Sequence, residues 1–271
     1  MHFRLWTDDA ALAAVAAAAG VEGIGPDLER FGKAERQSGP DNLISGHDER
    51  CLPAIRAVVG TGRLFVRCDP PHPRLDATLE RLLCAGVSAL MLPMVHAAAE
   101  VARVARRIDG RAILIPIVEQ ADALAAVDEI AAVDGIDELY LGVNDLALSL
   151  GCASRFGALT PRVVGRVAEA AARRGRGFGF FGIGRVGAPA LAVEPDLALA
   201  TFVHYGAGAG LLARTFGRDA AGFATRLDAI RSRLDFWERA SPSERGAAVD
   251  AFFAACSRAE SAARGASVGR P

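Results

Sequence analysis

Short apolar runs alternate with longer alanine- and arginine-rich segments through most of this 271-residue chain, and that alternation constrains its fold more than any single motif. Runs near 21–25, 42–45, 63–67, 88–92, 112–118, 138–142, 177–181 and 200–203 read as strands, and a run at 209–213 competes with 200–203 for the last position. Helical patterns fit 51–59, 73–85, 97–109, 120–132, 161–174 and 188–194. Glycine and proline punctuate the joins, as in Gly60-Thr61-Gly62, Asp69-Pro70-Pro71 and Gly175-Arg176-Gly177. Repeated strand–helix units with short connections specify parallel strands joined by right-handed crossovers. About eight such units, with no lysine-guarded edge strand, favour a closed (β/α)8 TIM barrel over an open doubly wound sheet.

The barrel is expected over 1–217, with an N-terminal helix formed by the apolar residues 10–20. That stretch is too short to span a bilayer and follows Asp8 and Asp9. Beyond it, Phe223, Leu227, Ile230, Leu234 and Trp237 recur at helical spacing, and Ser241-Pro242-Ser243 can start another helix with Ala248, Phe252, Phe253 and Cys256 on its apolar face. These additional C-terminal helices, 218–261, are expected to pack on the barrel or on a neighbouring subunit, and a small, polar tail over 262–271 is expected to fray.

Several function classes fall away. Lys and Arg number 31 against 32 Asp and Glu, so no net field draws nucleic acid or an anionic membrane. Cys51, Cys68, Cys84, Cys152 and Cys256 form neither CxxC nor any regular ligand spacing, which argues against structural zinc or a disulfide framework and for a reducing cytoplasm. Neither a GxGxxG fingerprint after the first strand nor a GxxxxGK[ST] loop occurs.

What remains is a set of polar residues at predicted strand ends. Glu119 follows Ala112-Ile113-Leu114-Ile115-Pro116-Ile117-Val118, and Asp145 follows Glu138-Leu139-Tyr140-Leu141-Gly142-Val143-Asn144. Carboxylates so placed lie at the rim where α/β folds carry their chemistry, and two that converge can seat a hard divalent cation. Either one alone reads better as a residue bordering the next helix; the pair favours metal. Arg67 ends Leu64-Phe65-Val66-Arg67, where a guanidinium can grip a substrate carboxylate or pair with Asp69, Asp76 or another rim acid. Pro93 and Met94 follow the strand at 88–92, with backbone amides that can meet an anion, and Asn144 can order the ligands around Asp145 or cap a turn. Asp27, Glu29 and Arg30 reach the same rim, followed by Lys33, Glu35 and Arg36, and salt bridging is as good a reading of these acids as catalysis. His47 can reach the rim from the second strand. Phe178-Gly179-Phe180-Phe181-Gly182-Ile183-Gly184 reads as a strand leading into a close-approach loop beside the ligand.

Over about residues 20–216 the chain resembles the HpcH/HpaI aldolase/citrate lyase-like family of the phosphoenolpyruvate/pyruvate barrel superfamily. The resemblance rests on Met91-Leu92-Pro93-Met94-Val95, on Pro116-Ile117-Val118-Glu119-Gln120, and on Gly135 through Leu146. Asp27-Leu28-Glu29 with Lys33 and Glu35-Arg36 is also similar to the first acidic motif of citrate-lyase β and malyl-CoA-lyase relatives. The resemblance implies Mg²⁺ or Mn²⁺ held by Glu119 and Asp145, with Arg67 on a substrate carboxylate. It implies carbon–carbon cleavage of a small 2-oxo acid or dicarboxylate through a pyruvate-like enolate, and a homo-oligomer.

Three departures bear on the chemistry. Class II 2-oxo-acid aldolases carry a histidine base after the first strand, where this chain reads Pro26-Asp27-Leu28-Glu29-Arg30, and a glutamine where it has Ile117; in the lyase-like branch a second acid often follows the first-strand glutamate, where this chain has Arg30. Glu29 or a bound water then becomes the candidate base. The alternatives are an acyl-CoA lyase of the citrate-lyase-β kind and a ligand-binding barrel with weakened turnover.

Overall fold

A computed structural model describes residues 1–32, 46–188, 191–217 and 219–268. Eight parallel strands form one sheet among the described residues, in the order β2-β1-β8-β7-β6-β5-β4-β3. They are β1 (His2–Trp6), β2 (Gly23–Gly25), β3 (Phe65–Arg67), β4 (Ala89–Leu92), β5 (Ile113–Val118), β6 (Glu138–Leu141), β7 (Gly177–Ile183) and β8 (Ala209–Leu212). The two outer members meet through bridges between Ile24 and Leu64 and between Asp27 and Arg67, so the sheet closes into the expected barrel. Gly25 permits that closure: a Cβ there would stand 2.1 Å from the Phe65 carbonyl oxygen.

The helices are α1 (Ala10–Ala18), α2 (Leu52–Val59), α3 (Leu75–Cys84), α4 (Ala98–Ile108), α5 (Ala121–Ala125), α6 (Val127–Ala131), α7 (Val143–Ser149), α8 (Pro161–Arg173), α9 (Pro195–His204), α10 (Phe223–Arg239) and α11 (Pro242–Val268). No described helix is long and apolar enough to cross a membrane. One core layer lies between strands and helices. A second fills the barrel with Phe65, Ala89, Met91, Ile115, Ile117, Tyr140 and Leu211, with Trp6 packed against them.

Several expected elements are corrected. The barrel opens on β1, a strand not among those expected; Arg4 there points inward and is buried against Glu138. Residues 200–203 are helical, within α9, which Pro195 starts and in which the Thr201 hydroxyl donates to the Leu197 carbonyl. The competing run at 209–213 supplies β8 instead. No helix forms over the described part of 188–194, since the helix begins only after Glu194. The pattern at 120–132 divides at Ala126 into α5 and α6. The expected strand at 42–45, like Lys33, Glu35 and Arg36, lies outside the described residues.

The two C-terminal helices pack on their own barrel. Phe223, Leu227, Ile230, Leu234 and Trp237 of α10 are buried, as are Ala248, Phe252, Phe253 and Cys256 of α11. The tail expected to fray from 262 is helical as far as Val268, continuing past the Glu260–Arg264 pair one turn apart. Glu260 also accepts hydrogen bonds from the Ala153 and Ser154 amides at 2.8 and 2.7 Å, so α11 ties down the loop that follows α7.

Candidate active site

The carboxyl ends of five consecutive strands, β2 through β6, carry the predicted site residues. Asp27 and Glu29 follow β2, Arg67 ends β3, Pro93 and Met94 follow β4, Glu119 follows β5, and Asn144 and Asp145 lie in the first turn of α7 just past β6. Asp27, Glu29, Arg67, Glu119 and Asp145 are each less than 10% exposed, at 5, 1, 8, 3 and 4%. Pro93 and Met94 are buried and Asn144 is half-buried.

Arg67 is held from three sides. Its Nε and Nη2 donate to the two carboxylate oxygens of Asp27 at 2.8 and 2.7 Å. Its Nη1 lies 3.2 Å from Glu29 Oε2, and its guanidinium carbon sits 4.4 Å from the centre of the Trp6 ring. Burial alone would lower its affinity for the proton, but the charges of Asp27, Glu29 and Glu119 more than reverse that. The ion-pair reading of Arg67 therefore holds for the molecule as described, with partners other than Asp69 and Asp76. Asp69 instead accepts the Arg30 and Phe31 amides, and Asp76 pairs with Arg103. Bidentate pairing orients the guanidinium and leaves N–H groups on Nη1 and Nη2 for a further acceptor.

Glu119 is positioned by backbone. Its Oε1 accepts the Met94 amide at 2.8 Å, an N–H presented by a residue in the left-handed region at φ 53°. Its other oxygen occupies space that only glycine leaves open, because a Cβ on Gly142 would lie 2.5 Å from Glu119 Oε2. Burial, then the neighbouring charges of Asp145 and Glu29, push the Glu119 carboxyl up to about 8, against the pull of Arg67 and the Met94 amide.

These residues fit a divalent cation. Two buried carboxylates on neighbouring strands repel each other, and a dication between them removes the repulsion that raises Glu119. Among the described residues no group of three or more His, Cys, Asp or Glu side chains is arranged to hold a metal. Two protein carboxylates with water and substrate oxygens completing the shell is the pattern Mg²⁺ commonly takes.

His47 does reach the rim. It is buried, its Nδ1 accepts the Asp27 amide at 3.0 Å, and its Nε2 stands 3.4 Å from Asp8 Oδ1 at the end of β1. An imidazole that accepts at Nδ1 carries its proton on Nε2, toward Asp8. The histidine absent at position 30 thus has a counterpart 17 residues later that buttresses Asp27, and through it Arg67. Sequence reasoning put no weight on Asp8, Trp6 or Gly142. Their signal was position alone, one residue or two past an apolar run.

Comparison with known proteins follows the same residues. The family model described as HpcH/HpaI aldolase/citrate lyase matches residues 49–176. A hydroxypyruvate/pyruvate aldolase of Rhizorhabdus wittichii is 30% identical over 183 residues, covering 54% of this chain and 72% of that protein. An HpcH/HpaI aldolase/citrate lyase family protein from Burkholderia cenocepacia superimposes with a TM-score of 0.60 at 20% identity, over 87% of this chain and 93% of that one. The CitE protein of Mycobacterium tuberculosis, solved with magnesium and pyruvate, gives a TM-score of 0.60 at 20% identity, over 86% and 90% of the two chains. At these identities the likeness to the solved structures is one of fold.

Proposed function

The chain belongs to the HpcH/HpaI aldolase/citrate lyase family, and we propose that it is a divalent-metal-dependent carbon–carbon lyase acting on a small oxo acid or dicarboxylate. One observation carries the reading: Glu119 and Asp145 are both buried at the ends of neighbouring strands, near enough for the charge of Asp145 to help push Glu119 up to about 8. The hydroxypyruvate/pyruvate aldolase relative and the mycobacterial protein's magnesium and pyruvate support the same chemistry.

Glu119 and Asp145 would hold Mg²⁺ or Mn²⁺. When bound, the cation supplies Lewis-acid stabilisation of the enolate charge that develops as the carbon–carbon bond breaks. The remaining roles fall to this chain's own groups. Arg67, oriented by Asp27, offers its free N–H groups to a substrate carboxylate or alkoxide. The Met94 amide holds Glu119 in place, with Pro93 buried beside it. Asn144 adjoins Asp145 and is open enough to meet substrate. Glu29, 3.2 Å from Arg67 Nη1, is the candidate general base beside the guanidinium.

A specific observation favours a second reading, a citrate-lyase-β-like acyl-CoA lyase. Position 30 is an arginine, and its side chain turns away to the His47 carbonyl and Asp48. No imidazole therefore stands after β2 at the place where a 2-oxo-acid aldolase keeps its base. Pyruvate release from a panel of 4-hydroxy-2-oxo acids, run beside cleavage of 3-hydroxyacyl-CoA thioesters, separates the two. Activity is expected to vanish on chelation and in Glu119→Gln and Asp145→Asn. Full activity after chelation rejects the metal mechanism, and tight ligand binding without turnover on either panel leaves a weakened binding barrel.

A further inference from the structure

The proposed site uses the ends of β2 to β6 and leaves the ends of β7 and β8 unassigned. There the glycine-rich exit of β7, Gly182-Ile183-Gly184, meets the Ala213-Arg214-Thr215 segment that follows β8. The two loops are joined by a hydrogen bond from the Arg185 amide to the Thr215 carbonyl at 3.2 Å. They approach so closely at Gly184 that a Cβ there would stand 2.9 Å from Thr215 Oγ1. Two arginines, Arg185 and Arg214, therefore leave the backbone from adjacent points, and both are exposed.

Many of the chain's arginines bind a carboxylate, among them Arg4, Arg67, Arg81, Arg103, Arg111, Arg226 and Arg233, while others, such as Arg106 and Arg162, bind none among the described residues. Among the described residues the guanidinium groups of Arg185 and Arg214 have no hydrogen bond or ion pair. Asp219 lies in the field of Arg185, and its Oδ2 already accepts Arg226 Nη1 at 3.0 Å. A single exposed arginine is worth little as a binding group. Two issuing from joined loops, beside a threonine hydroxyl, can close on one dianion with charge-assisted hydrogen bonds. Barrels of this kind often bind phosphate at the loops after strands seven and eight.

The charge distribution across the mouth gives the pair a use. The rim after β2 to β6 carries the buried acids Asp27, Glu29, Glu119 and Asp145, while the rim after β7 and β8 presents these two cations. A substrate with its reacting end among the acids and a dianionic group at its far end matches that polarity.

We propose that the β7–β8 rim is a phosphate-binding subsite, occupied by a phosphoryl group that the substrate carries at the end remote from the bond being cleaved. The inference rests on the lyase reading for its use of the word substrate, but not for the binding itself. Two sources share the chemistry: a phosphorylated small oxo acid, and a thioester of a phosphate-bearing carrier.

The test is isothermal titration of metal-free protein, at constant ionic strength, with methyl phosphate and with adenosine 3′,5′-bisphosphate. Saturable binding is expected and should weaken at least tenfold in the double variant Arg185→Ala/Arg214→Ala. It should be unchanged in Arg162→Ala, an exposed arginine of α8, and in Glu119→Gln/Asp145→Asn. A tenfold preference for methyl phosphate assigns the phosphorylated acid, and the reverse preference assigns the carrier thioester. Absence of saturable binding by both probes, or binding undiminished in the arginine double variant, overturns the proposal. Phosphate binding that persists in a protein found to bind no divalent metal would refute the lyase reading alone.

Discussion

The two ends of the barrel interior solve the same electrostatic problem in opposite ways. Toward the amino end, Arg4 Nη1 and Nη2 donate to the two oxygens of Glu138 at 2.5 and 2.8 Å, one charge against one. Glycines make room for that pair, since a Cβ at Gly23 would meet Arg4 Cγ at 2.9 Å and one at Gly177 would meet Glu138 Cγ at 3.1 Å. Toward the carboxyl end, Asp27 and Glu29 share the Arg67 guanidinium, and the charges of Asp145 and Glu29 raise the buried Glu119 carboxyl. The Arg4–Glu138 pair is complete in itself and serves as a plug. At the carboxyl end a carboxylate is set beside like charge, and a proton or a cation relieves that repulsion. The two ends use the same residue types, equally buried, in different ways: one pairs opposite charges, the other brings like charges together.

The largest effect is expected at the carboxyl end. Arg67→Ala removes the guanidinium that Asp27 and Glu29 share, and should destabilise the protein toward urea by about 3–5 kcal/mol, at the upper end of what breaking a buried pair costs. Added Mg²⁺ should return part of that loss. At the amino end, Glu138→Ala leaves Arg4 buried without its partner and should cost within the same range of about 3–5 kcal/mol, with no recovery by metal. Arg4→Met/Glu138→Leu should lie near wild type, because removing both charges removes the desolvation cost with the attraction. If metal rescued Glu138→Ala as well, the contrast between the ends would fail.

Acid titration sharpens the comparison further. Glu119 is raised from 4.5 to about 8 in the folded protein, so the native state binds more protons than the unfolded chain between those values. Stability of the metal-free protein should accordingly fall as pH rises from about 4.5 to about 8, and Glu119→Gln should flatten that slope. Thermal melts across that range, with and without chelator, check the sign. The smallest effect is expected at the neutral link between the ends. The Tyr140 hydroxyl donates to the Phe181 carbonyl at 2.6 Å and accepts the Leu211 amide at 3.1 Å. Tyr140→Phe should cost about 1–3 kcal/mol in unfolding free energy, whatever the metal content.

The unequal ends also explain what the sequence made legible. Glu119 and Asp145 stand directly after apolar runs, and a polar residue that ends such a run is visible as a rim residue without knowing its partners. The partnership of Arg67 with Asp27 was not visible, because it depends on β2 meeting β3 across the barrel seam. β1 was not visible for a related reason: it carries Arg4 into the core, and the carboxylate that cancels that charge lies 134 positions away. The last strand was ambiguous because Ala200-Thr201-Phe202-Val203 is apolar enough for either state. Pro195 at the start of α9 decided it for the helix. His47 was flagged as able to reach the rim, but its contact with the Asp27 amide needed the chain's return to the barrel, which local pattern does not encode.

Glu119 and Asp145 are proposed to form a cation site whose metal-free state is held together by a proton on Glu119. Calorimetric titration of Mg²⁺ or Mn²⁺ at pH 7, repeated in buffers of different ionisation enthalpy, measures both binding and proton release. Saturable binding that expels protons at pH 7, expels fewer as the pH approaches 9, and disappears in Asp145→Asn is the predicted result. Binding that releases no proton and survives both Asp145→Asn and Glu119→Gln, or no binding at all, would contradict it.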